Sequence, residues 1–172
     1  MNRNDQVQLL LSHAFFRELK PVDTKALFSA GAVKAIPAGG LLFTENSPAD
    51  GLFFVLSGIF EVRILQNVNE DVVLARIQSG EVIGEIGLLN NKPRTATIRA
   101  ETDAFVWHLP AETFEGLLSR GDHLAAGLLK GMSEDLCKRF RAVVYEGASL
   151  LGSIAPETIE KIRDDHFRRE RQ

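Results

Sequence analysis

Gly80-Glu81-Val82-Ile83-Gly84-Glu85-Ile86-Gly87-Leu88-Leu89-Asn90-Asn91-Lys92-Pro93-Arg94-Thr95-Ala96-Thr97-Ile98-Arg99-Ala100 is the most informative stretch of this chain. Its pattern predicts a strand, a glycine, one helical turn over residues 85–89, a polar loop and a second strand. Gly84 suits either a close approach of a ligand to the backbone or a positive φ, and a side chain obstructs both. The first N–H groups of a helical turn lack partners within the turn and attract anions. Arg94 follows Glu85 by nine residues, beyond the loop, and a guanidinium there can fork onto a phosphate with two charge-assisted hydrogen bonds. Glu85, when ionised, only accepts hydrogen bonds, so it suits hydroxyl groups such as those of a ribose. An acceptor for sugar and a cation for phosphate describe a nucleotide that is held but not hydrolysed. The same residues equally describe an ordinary turn with solvated charges.

Outward from this stretch, short apolar runs at 41–43, 52–56, 59–65, 72–77, 95–100 and 105–107 alternate with turn residues. Among the turns are Pro37-Ala38-Gly39-Gly40, Asn46-Ser47-Pro48-Ala49-Asp50-Gly51 and Ser79-Gly80. Short strands at this spacing, without long helical crossovers, predict an all-β sandwich or barrel rather than a parallel α/β sheet. Helical signals flank them. Val7, Leu10, Leu11, Ala14 and Phe15 recur at three- and four-residue steps, and a second run holds Ala26, Leu27 and Phe28 before Gly31. Pro110 fits a first helical turn, with Phe114, Leu117 and Leu118 behind it.

After Arg120-Gly121-Asp122, a long helix is expected over 122–145. Its stripe is Leu124, Leu128, Met132, Leu136, Phe140 and Val144. A four-residue step drifts about 40° per repeat. The stripe therefore either winds between a barrel and a partner helix or marks a single core-facing helix. Pro156, Ile159, Ile162 and His166 hint at a short terminal helix. The expected organisation is N-terminal helices at 1–31, a β-barrel at 32–109, C-terminal helices at 110–145 and a tail at 146–172.

Composition narrows the function. The chain has 172 residues, 45% apolar and 25% charged, with a net charge of −3. That is one domain's length with enough apolar residues for a core. Mild acidity argues against broad nucleic-acid affinity. No apolar run reaches the roughly 18 residues of a membrane span, and the N-terminus lacks the pattern of a secretory leader, so a cytoplasmic location is expected. Cys137 is the single cysteine, which excludes an intrachain disulfide and multi-cysteine metal sites. His13, His108, His123 and His166 are scattered and form no nucleophile or metal pattern with it. No enzyme activity, catalytic residue, metal or cofactor is expected.

The stretch from Gly84 to Ile98 closely resembles the phosphate-binding cassette of the cyclic nucleotide-binding domain, the sensor of catabolite activators and protein kinase A regulatory subunits. Gly84, Glu85, Ile86, Gly87, Leu88, Leu89, Pro93, Arg94, Thr95, Ala96, Thr97 and Ile98 fit its pattern. Ile36-Pro37-Ala38-Gly39, Leu42-Phe43, the run from Gly51 to Gly58 and Glu61-Val62 are similar to the family's early strands. The resemblance covers about residues 10–145. It implies a mainly β fold with flanking helices: an antiparallel β-roll or jelly-roll barrel (a double-stranded β-helix), with N-terminal helices, a cassette at 83–96 and a long C-terminal helix.

It also implies roles. Glu85 matches the glutamate that contacts the ribose 2′-hydroxyl, and Arg94 the arginine that pairs with the cyclic phosphate. Gly84 and Ile86 belong to the same turn, with the Gly84 backbone close to the ribose. Thr95 and Ala96 present groups to the phosphate and base, and Val62 and Leu74 match the barrel wall against the base. The Thr95 hydroxyl is compatible with a guanine amino group, with the phosphate or with its own backbone. Cyclic AMP is the expected ligand, with cyclic GMP and cyclic di-GMP as alternatives.

In the family the long helix acts as a lid. Arg139 and Phe140 lie where a cation or a ring stacks on a purine, or else are a solvated charge and a core residue. Signalling is expected through movement of this helix, to a protein effector or a homodimer formed along it, without nucleic acid or membrane as partner. Another alternative is a transcription-regulator fragment. Residues 146–172 hold six acidic and five basic side chains, with no basic recognition helix apparent, so a regulator acting through another protein is expected.

Overall fold

The structure, a computed structural model, describes residues 3–12, 16, 19–67 and 70–151. The chain divides into two compact units, Met1–Met132 and Ser133–Gln172.

The first unit opens with two helices, α1 (Arg3–Ser12) and α2 (Pro21–Ala30). Eight strands follow: β1 (Ala32–Ile36), β2 (Leu41–Phe43), β3 (Gly51–Ser57), β4 (Phe60–Asn67), β5 (Glu70–Ile77), β6 (Val82–Ile83), β7 (Thr97–Ala100) and β8 (Ala104–Pro110). A short helix, α3 (Glu85–Asn90), separates β6 from β7, and α4 (Ala111–Ser119) follows β8. The last helix, α5 (His123–Leu151), begins in this unit and ends in the second.

The strands form two four-stranded antiparallel sheets, ordered β1-β8-β3-β6 and β2-β7-β4-β5. Apart from the β4–β5 hairpin, each strand pairs with strands distant in sequence, as in a jelly roll. The expected mainly β class with flanking helices is the one observed.

β3 explains how the layers stack. Its apolar run from Leu52 to Leu56 is unbroken because both faces of the strand are covered. Leu52, Phe54 and Leu56 face a cluster with Leu10, Phe16, Leu27, Phe28, Trp107, Phe114, Leu128 and Met132. Phe53 and Val55 face the second sheet, among Phe60, Ile77, Ile83, Ile98 and Val106. Trp107 anchors the helix side. Its ring stacks on Phe28 with centroids 6.3 Å apart, and its indole N–H donates to the Phe28 carbonyl at 3.1 Å. The one polar atom of a large buried ring is thereby satisfied.

Element edges differ from expectation in three places. β7 starts at Thr97, because Thr95 and Ala96 form a bend. Pro110 closes β8, and α4 starts one residue later. α5 continues to Leu151 rather than stopping at 145. Gly147 costs a helix about 1 kcal/mol, but Ala148, Leu150 and Leu151 behind it are good helix formers. At the other end, the Asp122 carboxylate accepts from the Leu124 N–H at 2.9 Å and caps α5. The expected stripe divides along the helix: Leu128 and Met132 are fully buried, whereas Phe140 and Val144 are exposed. Ala14, Phe15 and the expected terminal helix with Pro156, Ile159, Ile162 and His166 lie outside the described residues.

Candidate functional site

β6 delivers the chain from the core to Gly84, which has φ 91 and caps the N-terminus of α3. Two constraints require glycine there. The left-handed backbone disfavours a side chain, and a Cβ would collide with Nη1 of Arg94. Asn91, at φ 50, turns the chain out of α3, and residues 92–96 lead it into β7.

Arg94 is the centre of this segment. Its side chain is 1% exposed. Nη1 donates to the Gly84 carbonyl at 2.9 Å, and Nη2 to the Gly51 carbonyl at 2.8 Å and to Oδ1 of Asp50 at 2.6 Å. The guanidinium lies over the Phe43 ring, 4.1 Å from its centroid, a cation–π contact that desolvation strengthens. Nε–H is buried without a hydrogen-bond partner among the described residues. A guanidinium taken from water is tolerated only where charge and hydrogen bonds replace the water, and here two carbonyls and one carboxylate do so.

The main chain of Arg94 is held as firmly. Its N–H donates to the Ser47 carbonyl at 2.8 Å, and its carbonyl accepts from the Asn46 N–H at 2.8 Å. Next to this rung, the Glu45 N–H donates to Oγ1 of Thr97 at 2.9 Å. The loop before β3 and the loop before β7 are thus laced together, and Asp50 reaches Arg94 from the end of the former.

Asp50 has a second neighbour. Its Oδ2 is 3.9 Å from Nε2 of His108. His108 is on β8, stacked against Phe53 with centroids 4.4 Å apart. Burial is the main cause that holds its imidazole below the ordinary histidine pKa. Lys34 and, less strongly, Arg94 push the same way, while Asp50 opposes them. Lys34, on β1, extends over the Phe53 ring.

The structure brings several of the expected residues together. Gly84 and Arg94 are in contact, and Glu85, at the start of α3, is 2% exposed. Ala96 is buried, Thr95 is exposed in the bend, and Ile86 is 40% exposed. Val62 pairs with Ile98 across β4 and β7, just past the cassette. Leu74, on the next strand, falls where the β4–β5 register shifts, between Val73 opposite Arg63 and Ala75 opposite Val62, and is largely exposed. Arg139 and Phe140 belong to the second unit. There Arg139 pairs with Asp135 at 2.8 Å, and Phe140 is 69% exposed.

Asp50, His108, Lys34 and Phe43 were not anticipated. Asp50 reads as one more polar turn residue. His108 carried a signal: alternation along β8 puts it on the face of Ala104 and Val106, which point between the sheets. Among the described residues there is no group of three or more His, Cys, Asp or Glu placed to hold a metal, and no helix is long and apolar enough to cross a membrane.

The chain as a whole is similar to known proteins. An uncharacterized NTE family protein of Mycobacterium tuberculosis is 35% identical over 101 residues, 59% of this chain and 17% of that protein. A cAMP-dependent protein kinase regulatory subunit of Blastocladiella emersonii is 28% identical over 160 residues, 92% of this chain and 37% of that protein. The chain therefore spans well under half the length of these curated relatives. The crystal structure of a cyclic nucleotide-binding domain from Methylobacillus flagellatus superposes with a TM-score of 0.74 at 22% identity, covering 88% of this chain and 84% of that one, a likeness of fold. Residues 33–121, which contain all eight strands' pairing partners from Val33 onward and the whole Arg94 site, match the family model for the cyclic nucleotide-binding domain, and the protein belongs to that family.

Proposed function

We propose that this chain is a cyclic nucleotide sensor, that its ligand is cyclic AMP, and that it signals by repositioning α5 to regulate a partner protein. The observation that carries the reading is Arg94: a buried guanidinium anchored on the backbone of Gly84 and Gly51, with its Nε–H unpartnered among the described residues. A cyclic phosphate would take the place of the Asp50 carboxylate on Nη2 and use the spare donor. Glu85 would accept from the ribose 2′-hydroxyl, with Gly84 and Ile86 shaping the turn beneath it. Thr95 and Ala96 would border the phosphate, Val62 and Leu74 the base, and Arg139 or Phe140 would cover the purine.

Cyclic AMP is favoured over cyclic GMP and cyclic di-GMP by the names of the relatives, cAMP-dependent kinase regulatory subunits among them. The ligand would shift α5 only to the extent that it binds one arrangement better than the other. The regulated partner would be an effector, or a second copy that meets the exposed Phe140, Val143, Val144 and Tyr145.

Calorimetry and thermal shift with cyclic AMP, cyclic GMP and cyclic di-GMP test the reading. A ligand at 100 times its Kd should stabilise the fold by about 2.7 kcal/mol. Arg94→Ala should weaken binding at least about tenfold, as expected when one partner of a buried charged contact is lost. No response to any of the three nucleotides, or an unchanged affinity in Arg94→Ala, would overturn it.

A further inference from the structure

One carboxylate lies between a permanent cation and a titratable ring. Asp50 Oδ1 accepts from Arg94, a permanent cation, at 2.6 Å. Its Oδ2 is 3.9 Å from Nε2 of His108, whose imidazole is charged only when protonated. His108 is 8% exposed, and this Nε2 is buried without a hydrogen-bond partner among the described residues. An unmade buried hydrogen bond costs stability, and the neighbour that favours the protonated ring is Asp50, through its charge and its backbone.

We propose that His108 is a positioning residue of the ligand site: it receives Asp50 when a cyclic phosphate displaces that carboxylate from Arg94, so that ligand binding takes up a proton. The proposal rests on the cyclic nucleotide reading above. In the ligand-free arrangement Asp50 is committed to Arg94. Burial and the nearby Lys34 and Arg94 charges keep His108 neutral at pH 7. No other charged side chain comes from the strands around it, since β3 and β8 carry none and β1 carries only Lys34. A phosphodiester on Arg94 neutralises one of those opposing cations and frees Asp50 to close the short gap to Nε2. Both changes favour the imidazolium.

The sign follows. His108 has the higher pKa in the bound state, so the bound state holds more protons. Affinity therefore rises as pH falls through the interval between the free and bound pKa values. By reciprocity, acid favours ligand as much as ligand favours the proton. Each unit of rise in the His108 pKa is worth about tenfold in affinity. Neither the phosphodiester nor the purine of cyclic AMP titrates between pH 5.5 and 8, so the slope reports the protein.

The test has two arms. Calorimetry of cyclic AMP binding at pH 5.5 to 8, in buffers of different ionisation enthalpy, should show tighter binding at the acid end with proton uptake, and His108→Gln should flatten the profile. A wild type that binds cyclic AMP with a flat profile, or a His108→Gln protein that keeps the slope, overturns the proposal while the sensor reading stands. The second arm needs no nucleotide. NMR titration of the His108 ring should show a raised pKa in Arg94→Gln and a lowered pKa in Asp50→Asn, and His108 unmoved by either variant overturns the shared-carboxylate arrangement. A wild type that binds no cyclic nucleotide overturns the sensor reading and the proton-linked binding built on it.

Discussion

On one face of β3, Leu52, Phe54 and Leu56 pack among apolar side chains from the helices and β8. On the other face, Phe53 shares its surroundings with Arg94, His108 and Lys34. The polar atom of Trp107 on the helix side is satisfied, whereas Arg94 Nε and His108 Nε2 between the sheets have no hydrogen-bond partner among the described residues. One strand thus separates a layer built for stability from a layer that retains unused hydrogen-bonding capacity. Stability and the proposed ligand chemistry occupy opposite faces, so substitutions should separate them.

The largest expected effect is on the helix side. Phe54→Ala removes a fully buried ring and should cost about 3–5 kcal/mol in chemical denaturation, without changing the ligand-free pKa of His108 if the two layers are independent. Arg94→Ala should do the opposite. Its stability loss should be the smaller, because the stranded Asp50 side chain is 57% exposed and can turn to water, while the loss in ligand affinity stays at least about tenfold. Equal stability losses in the two variants would break the contrast.

Gly84→Ala should cost about 1–2 kcal/mol for the left-handed backbone alone, plus whatever displacement of Nη1 its Cβ forces. It should therefore lower both stability and affinity, read by denaturation and calorimetry on the same sample. The smallest effect is the acid sensitivity of the ligand-free fold. His108 has a folded-state pKa below its unfolded value, so its contribution is complete above about pH 6.5, the ordinary histidine value, and is lost as pH falls below it. Stability measured from pH 7.5 to 5 should decline less in His108→Gln than in the wild type.

Legibility in the sequence follows the same division. The strands and their two-faced run at 52–56 announce themselves through apolar content, and the cassette through glycine, acid and base at fixed spacing. Local rules act there, over a handful of residues. What remained hidden joins distant segments: Asp50 meets Arg94 across 44 positions, and His108 comes from β8. Periodicity shows that His108 faces inward, but only the pairing register, Phe53 opposite His108, says what it faces. α5 outran its expected end because one glycine is too weak a stop when helix formers follow it.

The lacing of the two loops has a consequence for chain length. Surface loops ordinarily accept insertions and deletions. The segment from Asn46 to Asp50 does not have that freedom, because its two ends grip one residue: Asn46 and Ser47 hold the main chain of Arg94, and Asp50 holds its guanidinium. Adding or removing one residue between them would put one grip out of register with the other. This stretch, which reads as an unremarkable polar turn, is in effect a ruler cut to the length of an arginine.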